Sequence, residues 1–225
     1  MEILLFFFLL YLFSFLAQKH YNKSGYKDAS GHSYYETMTD PGRKGEYQTY
    51  RDLESLGEQH KLLTNIYLPK EDGTTTEIDL IMITETGIYV FESKNYSGWI
   101  FGDESSKFWT QSLKGGNKFR FYNPIWQNKK HINILQKHLG IGSEVFRSYI
   151  IFSNRCELKK MFVRSPEVKV MNRDILIREI NQDLTSLANR LTFFEINQIY
   201  NDLSRFALAD AQTKQAHIDA MSWKN

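Results

Sequence analysis

Asp79, Glu92 and Lys94 stand inside two stretches, 77–83 and 87–94, that otherwise read as buried strands. Alternation along a strand puts Glu77, Asp79 and Ile81 on one face and Ile78, Leu80 and Met82 on the other, and apolar groups on both faces mark a central strand. The same parity groups Val90, Glu92 and Lys94 against Phe91 and Ser93. If the two strands pair, Asp79, Glu92 and Lys94 converge. A buried carboxylate without a partner is costly, so it neutralises or finds a cation. Lys94 can satisfy one acid and leaves the second, together with Glu46 if that residue reaches the same place, as surplus negative charge. A hard ion, Mg²⁺ or Mn²⁺, would absorb the surplus and keep waters for chemistry. The lysine would then orient an attacking water or stabilise charge developing on a phosphate. Glycoside hydrolysis by Asp79 and Glu92 is the weaker alternative, because it gives the lysine no role.

The flanking segments supply the elements that must hold these groups. Asp40 and Pro41 can cap and begin a helix on which Glu46, Tyr50, Leu53 and Gly57 share a face, so Glu46 borders an apolar stripe. "LLTNIYLP" alternates into a strand closed by Pro69, and "KEDGTTT" is a turn. "NPIWQNKKHINILQKHLG" reads as a helix opened by Asn123 and Pro124, with Ile125, Ile132, Leu135 and Leu139 facing the core and Gln127 off that stripe. "EVFRSYIIFS" at 144–153 and "MFVRSPEVKVM" at 161–171 read as two further strands. "RDILIREINQDLTSLANR" and "TFFEINQIYNDLSRFALA" are amphipathic helices, the second opened by a Thr192/Glu195 capping box, with Ile196, Ile199, Leu203 and Phe206 inward. The expected architecture is α/β, an α-β-β-β-α-β core with a mixed central sheet and C-terminal helices. His131 and His138, two helical turns apart with no acid between them, read as surface positions. The single cysteine, Cys156, excludes an intramolecular disulfide and suits a reducing compartment.

The N-terminal run is unlike the rest. From Ile3 to Ala17 there is no charge, and a helix there would span about 22 Å against a hydrocarbon core of about 30 Å. Glu2 before the run, and Phe15 and Leu16 beside Ala17, disfavour a cleaved secretory signal. Lys19, His20, Lys23 and Lys27 follow it, which places the remainder in the cytoplasm of a single-pass membrane protein. The expected organisation is an anchor over 1–18, a polar linker over 19–40, a catalytic-type domain over 41–155, and a strand-and-helix extension over 156–225.

From about Gly45 to about Ser153 the chain resembles nuclease-related domain (NERD) proteins, a branch of the PD-(D/E)xK nuclease superfamily. The resemblance rests on "GE" at 45–46, on "EIDLIMITETGIYVFESKN" with its EID, G-I-Y-V and ExK, on Gly98, Gly102 and Trp109, and on "NPIWQN" at 123–128, in that order. It implies a restriction-endonuclease-like core and a metal-dependent nuclease, with DNA as the favoured substrate. It also implies that Asp79 and Glu92 are the metal ligands, Lys94 the catalytic lysine, Glu46 the helix glutamate and Gln127 the polar residue of the later helix. Ser93 departs from the pattern, standing where an apolar or small residue is commoner.

Charge distribution points the same way independently. Between Ser105 and Ser143 there is no acid, yet Lys107, Lys114, Lys118, Arg120, Lys129, Lys130 and Lys137 all fall there, so with a net charge of +2 the rest of the chain is acidic. Aromatic residues interleave the first six of these cations, a mixture suited to a phosphate backbone and unstacked bases. Anionic lipid headgroups would attract the same cations. The residues thus lead to a membrane-tethered, metal-dependent nuclease. The alternative is a non-catalytic, membrane-tethered module that uses the same fold to bind nucleic acid or a partner.

Overall fold

The computed structural model describes residues 1–57 and 60–222. An apolar helix, α1 (Glu2–Lys23), leads into two short helices, α2 (Tyr26–Ser30) and α3 (Tyr34–Thr39), and then α4 (Pro41–Glu54). Three strands follow, β1 (Lys61–Pro69), β2 (Thr75–Thr84) and β3 (Gly87–Lys94), then β4 (Gly98–Asp103), β5 (Phe108–Ser112) and β6 (Lys118–Tyr122). Helix α5 (Pro124–Leu139) precedes β7 (Phe146–Phe152), β8 (Cys156–Phe162) and β9 (Val168–Asn172). The chain continues through α6 (Leu176–Ser186), α7 (Phe193–Ser204) and α8 (Ala211–Ser222).

The main sheet runs β1-β2-β3-β7-β9, with β1, β2 and β3 antiparallel and β3, β7 and β9 parallel. It is therefore mixed, and its core order α4-β1-β2-β3-α5-β7 is the one expected. Both faces are covered, as a central parallel segment requires. Tyr47, Tyr50 and Leu53 of α4 and Leu176 and Ile180 of α6 pack on Leu80, Met82, Tyr89 and Phe91. Leu135 of α5 and Ile196, Ile199 and Leu203 of α7 pack on Ile78, Ile81, Ile83, Ile88 and Val90.

Three features depart from the sequence expectation. A second sheet, β6-β5-β4-β8, is built from β4–β6, inserted between β3 and α5, and from β8, which follows β7, and its inner face packs Ile100 and Trp109 against Ile150 and Phe152 of β7. Gly102 permits this, since a Cβ there would lie 2.5 Å from the Trp109 ring. The stretch 161–171 is not one strand, because Met161 and Phe162 end β8 in the second sheet while Val168 begins β9 in the first. Pro166 lies between them and interrupts the ladder.

The third departure concerns residues 18–40, which are folded. Helix α1 runs on to Lys23, and at 22 residues it is about 33 Å long. Its apolar part is exposed and long and apolar enough to cross a membrane. Tyr21 and Tyr26 are fully buried, with ring centroids 5.0 and 5.4 Å from Tyr47 of α4. The Gly25 amide donates to Glu54 Oε1 at 2.6 Å, and Ser33 caps α3. Tyrosines dotted through a polar stretch carry no periodicity, yet each brings a large apolar ring that can dock singly. Replacing Tyr26 with Ala should therefore cost about 3 kcal/mol in urea unfolding, whereas Tyr26→Phe, which keeps the ring, should be near neutral. No effect of the alanine would mean that this stretch is a solvated tether.

Candidate active site

The site forms where two strands part. The β2/β3 ladder ends at the pair Leu80 and Phe91, whereas β2 stays paired to β1 as far as Thr75 and β3 stays paired to β7 as far as Lys94. Asp79 and Glu92 are the first residues beyond that fork. The Ser93 amide, no longer matched across β2/β3, donates to Asp79 Oδ2 at 3.0 Å. Ser93 places its hydroxyl 3.3 Å from Thr49 Oγ1 of α4, away from Glu92, as strand parity requires.

Parity itself fails in the neighbouring strand. Ile78 lies in one core with Ile81 and Ile83, while Leu80 and Met82 lie in the other, so Ile78 does not share a face with Leu80 and Met82 as expected. The break is shared with β1, where Leu63 and Ile66 lie in one core on either side of Asn65, which stands in the register opposite Asp79 and has φ +52°. One residue in the left-handed region rotates the strand and resets the alternation, and asparagine tolerates that region better than most. The Asn65 side chain then donates to Glu46 Oε2 at 3.3 Å and lies 3.4 Å from Glu77 Oε1, which also accepts from the Tyr67 hydroxyl at 2.6 Å.

Lys94 Nζ donates to Glu92 Oε1 at 2.6 Å and to Gln127 Oε1 at 3.2 Å. Gln127 therefore reaches the site from α5, whose start is fixed by Asn123: its side chain caps Ile125 and donates to the carbonyls of Glu104 and Ser106. Asn128 ties the same helix to the Val90 carbonyl and the Ser148 hydroxyl. His131, expected at the surface, is 6% exposed, with Nε2 3.4 Å from Glu92 Oε2 and Nδ1 3.0 Å from Thr76 Oγ1. It sits one turn after Gln127 on the same helix, an i, i+4 relation legible in the sequence. His138 is partly exposed and pairs with Asp202 at 2.9 Å.

Electrostatics follow from this crowding. Burial, then the charges of Glu92 and Glu46, push the Asp79 carboxyl well above the ordinary range, against the pull of Lys94 and the Ser93 amide. Burial and the Glu77 charge raise Glu46 to about 7, with the Asn65 hydrogen bond opposing. For Glu92, burial acts upward too, but Lys94 and His131 outweigh it and hold the group below its usual value. Burial likewise acts to lower Lys94, yet Glu92 and Asp79 keep it above the ordinary lysine range and so charged.

Glu92 Oε2 and His131 Nε2 are buried and, despite their proximity, have no hydrogen-bond partner. An orphaned carboxylate oxygen beside a raised aspartate is a donor set that a divalent ion fits. Among the described residues, no group of three or more His, Cys, Asp or Glu forms a ready metal cage. Mg²⁺ seldom uses one, taking one or two carboxylates with waters and substrate phosphates instead.

The six cations assigned to nucleic acid lie on or beside the second sheet: Lys107 and Lys114 in the loops flanking β5, Lys118 and Arg120 on β6, and Lys129 and Lys130 on α5. All six are exposed.

Residues 41–153 match the sequence profile of the nuclease-related domain. An uncharacterized protein of Bacillus anthracis is 34% identical over 178 residues, covering 79% of this chain and 82% of its own length. The crystal structure of a protein of unknown function aligns over 81% of this chain and 97% of its own, at 13% identity and a TM-score of 0.33.

A pH signature follows from Glu46. Because its folded-state pKa lies above the ordinary 4.5, folding binds its proton more tightly. The associated stability is complete below about pH 4.5 and lost as pH rises through about 7. In EDTA, Glu46→Gln should therefore gain Tm relative to the native chain across that window, reaching a few degrees at its upper end. A difference that does not vary with pH would contradict the electrostatic account.

Proposed function

Because the chain belongs to the nuclease-related domain family, within the PD-(D/E)xK-like nuclease superfamily, we propose that it is a metal-dependent nuclease that hydrolyses phosphodiester bonds of nucleic acid. DNA is the favoured substrate, and α1 is its membrane anchor. The observation that carries the reading is charge imbalance at the strand fork: Asp79, Glu92 and Glu46 crowd together against one ammonium, Lys94. A structural ion pair would need one acid, not three.

Asp79 and Glu92 would supply oxygen ligands to Mg²⁺ or Mn²⁺. When bound, such an ion supplies Lewis-acid polarisation of the phosphate and activation of a water. Lys94, held charged, would stabilise negative charge accumulating on phosphorus-bound oxygens, with its ammonium directed by Gln127 Oε1. Glu46 can hold a proton near neutral pH or a further water. His131 Nε2 approaches Glu92 Oε2 to 3.4 Å from the α5 side. Lys107, Lys114, Lys118, Arg120, Lys129 and Lys130 would bind the phosphate backbone, with affinity falling as salt rises. Lys19, His20, Lys23 and Lys27 follow the apolar run and favour a cytoplasmic domain on a single-pass anchor.

A second reading has its own support. Glu92 is already tied to Lys94, which suits a non-catalytic module that binds nucleic acid or a partner without cutting. Cleavage assays separate the two. With Mg²⁺ or Mn²⁺ the purified full chain should cut nucleic acid, EDTA should stop it, and Asp79→Ala and Lys94→Ala should each lower the rate by about 10²-fold or more while the protein stays folded. Undiminished cutting by Lys94→Ala would remove the catalytic assignment, and no cutting by a folded, metal-loaded chain would favour the binding module.

A further inference from the structure

Lys118 and Arg120, assigned above to the phosphate backbone, share the outward face of the second sheet with exposed aromatic rings that the nuclease reading leaves without a role. Strand register settles its membership: Trp99 lies opposite Ser112 and Ser112 opposite Lys118, Phe101 opposite Thr110 and Thr110 opposite Arg120, and Phe108 opposite Tyr122. On the other edge β8 places Lys160 beside Phe101 and Phe162 beside Asp103. The alternate residues Ile100 and Trp109 point into the core; on the opposite face Ser112 is buried while Lys118, Arg120 and Lys160 are exposed. Trp99, Phe108 and Phe162 are 50%, 40% and 57% exposed.

Scattered exposed apolar residues need no explanation, but here Trp99, Phe108, Tyr122 and Phe162 share one face across four strands, Phe108 and Tyr122 with ring centroids 6.4 Å apart, and are interleaved with cations. Arg120 lies over the Phe108 ring at 4.9 Å, Lys159 over Trp99 at 5.5 Å and Lys130 over Tyr122 at 4.8 Å. The two carboxylates of this face are engaged, Glu157 with Lys159 and Asp103 with the Ser105 amide and hydroxyl. Lys118, Arg120 and Lys160 have no carboxylate partner among the described residues. The face is thus a positively charged array of flat rings, complementary to a polyanion that also offers flat apolar surfaces. Single-stranded nucleic acid has both, since every unpaired base presents a π-face beside a phosphate. A duplex keeps its bases stacked on one another and offers only its backbone to such a sheet.

Both ends of the β4–β6 insertion run into the candidate site. Strand β4 begins just after Lys94, and β6 ends just before the helix that carries Gln127. We infer that the outward face of β4, β5, β6 and β8 is a stacking surface for unpaired bases, making single-stranded nucleic acid the preferred polymer at the fork. The inference rests on the nucleic-acid reading above and narrows its substrate class.

Equilibrium binding in EDTA tests the surface without cleavage. The full chain in detergent is titrated with fluorescent oligothymidine and with a duplex of equal length. The single strand should bind about tenfold more tightly, Trp99→Ala and Phe108→Ala should each weaken it by about tenfold and leave duplex binding unchanged, and Trp99→Phe should restore it. Equal affinity for the duplex, or alanine variants that bind the single strand as the native chain does, would overturn the inference. So would protection of Trp99 from an aqueous quencher in phosphatidylserine nanodiscs that oligothymidine fails to relieve, since the face would then lie on lipid. Metal-dependent cutting that persists while the alanine variants bind normally sinks the stacking surface alone. Selective binding without any cutting upholds the surface and contradicts the catalytic reading.

Discussion

Three carboxylates drawn into one poorly hydrated fork with a single lysine are the constraint on which the rest of the structure turns. Like charges at short range raise one another's proton affinity, and burial adds to the effect. Asp79 and Glu46 both show it, while Glu92 escapes because Lys94 and His131 stand against it. The sheet itself uses only Asp79, whose Oδ2 accepts the Ser93 amide that the fork leaves unmatched, so Glu46 and Glu92 bring the ladder no return. Cost without structural return is the usual mark of a site that does chemistry.

The scaffold keeps that cost local. Strands β2 and β3 separate only after Leu80 and Phe91, and beyond the fork Ile78 and Ile151 still pack into the cores on the two faces of the sheet. Asn65 absorbs the backbone distortion opposite Asp79, and Asn123 and Asn128 hold α5 so that Gln127 and His131 arrive from the other face. The tyrosine cluster joins α1 to α4, the helix that bears Glu46. If α1 spans a bilayer, the site stands at a fixed height above the membrane instead of on a slack tether.

Much of this was legible in residue order. The polar intrusions Asp79, Glu92 and Lys94 in apolar strands pointed to the site, and the Asp40 and Asn123 caps located both helices that serve it. What stayed hidden is non-local. Parity could not foresee the reset at Asn65, because alternation holds only while φ stays extended. His131 looked like a surface residue since the acid it meets lies on a strand far away in sequence. The second sheet escaped because its strands are short and one edge is closed by β8, which is separated from its partner β4 by all of α5 and β7. The docked tyrosines escaped because single large rings bury without periodicity.

The central claim is that the surplus charge at the fork exists to hold a divalent ion. Calorimetric titration of Mn²⁺ into the full chain tests it most directly, beside Asp79→Asn and Glu92→Gln variants whose folding is checked by circular dichroism. The account predicts saturable binding by the native chain, abolished or weakened by about tenfold or more in each variant. A native chain that binds no Mn²⁺, or variants that bind it as the native chain does, would contradict it.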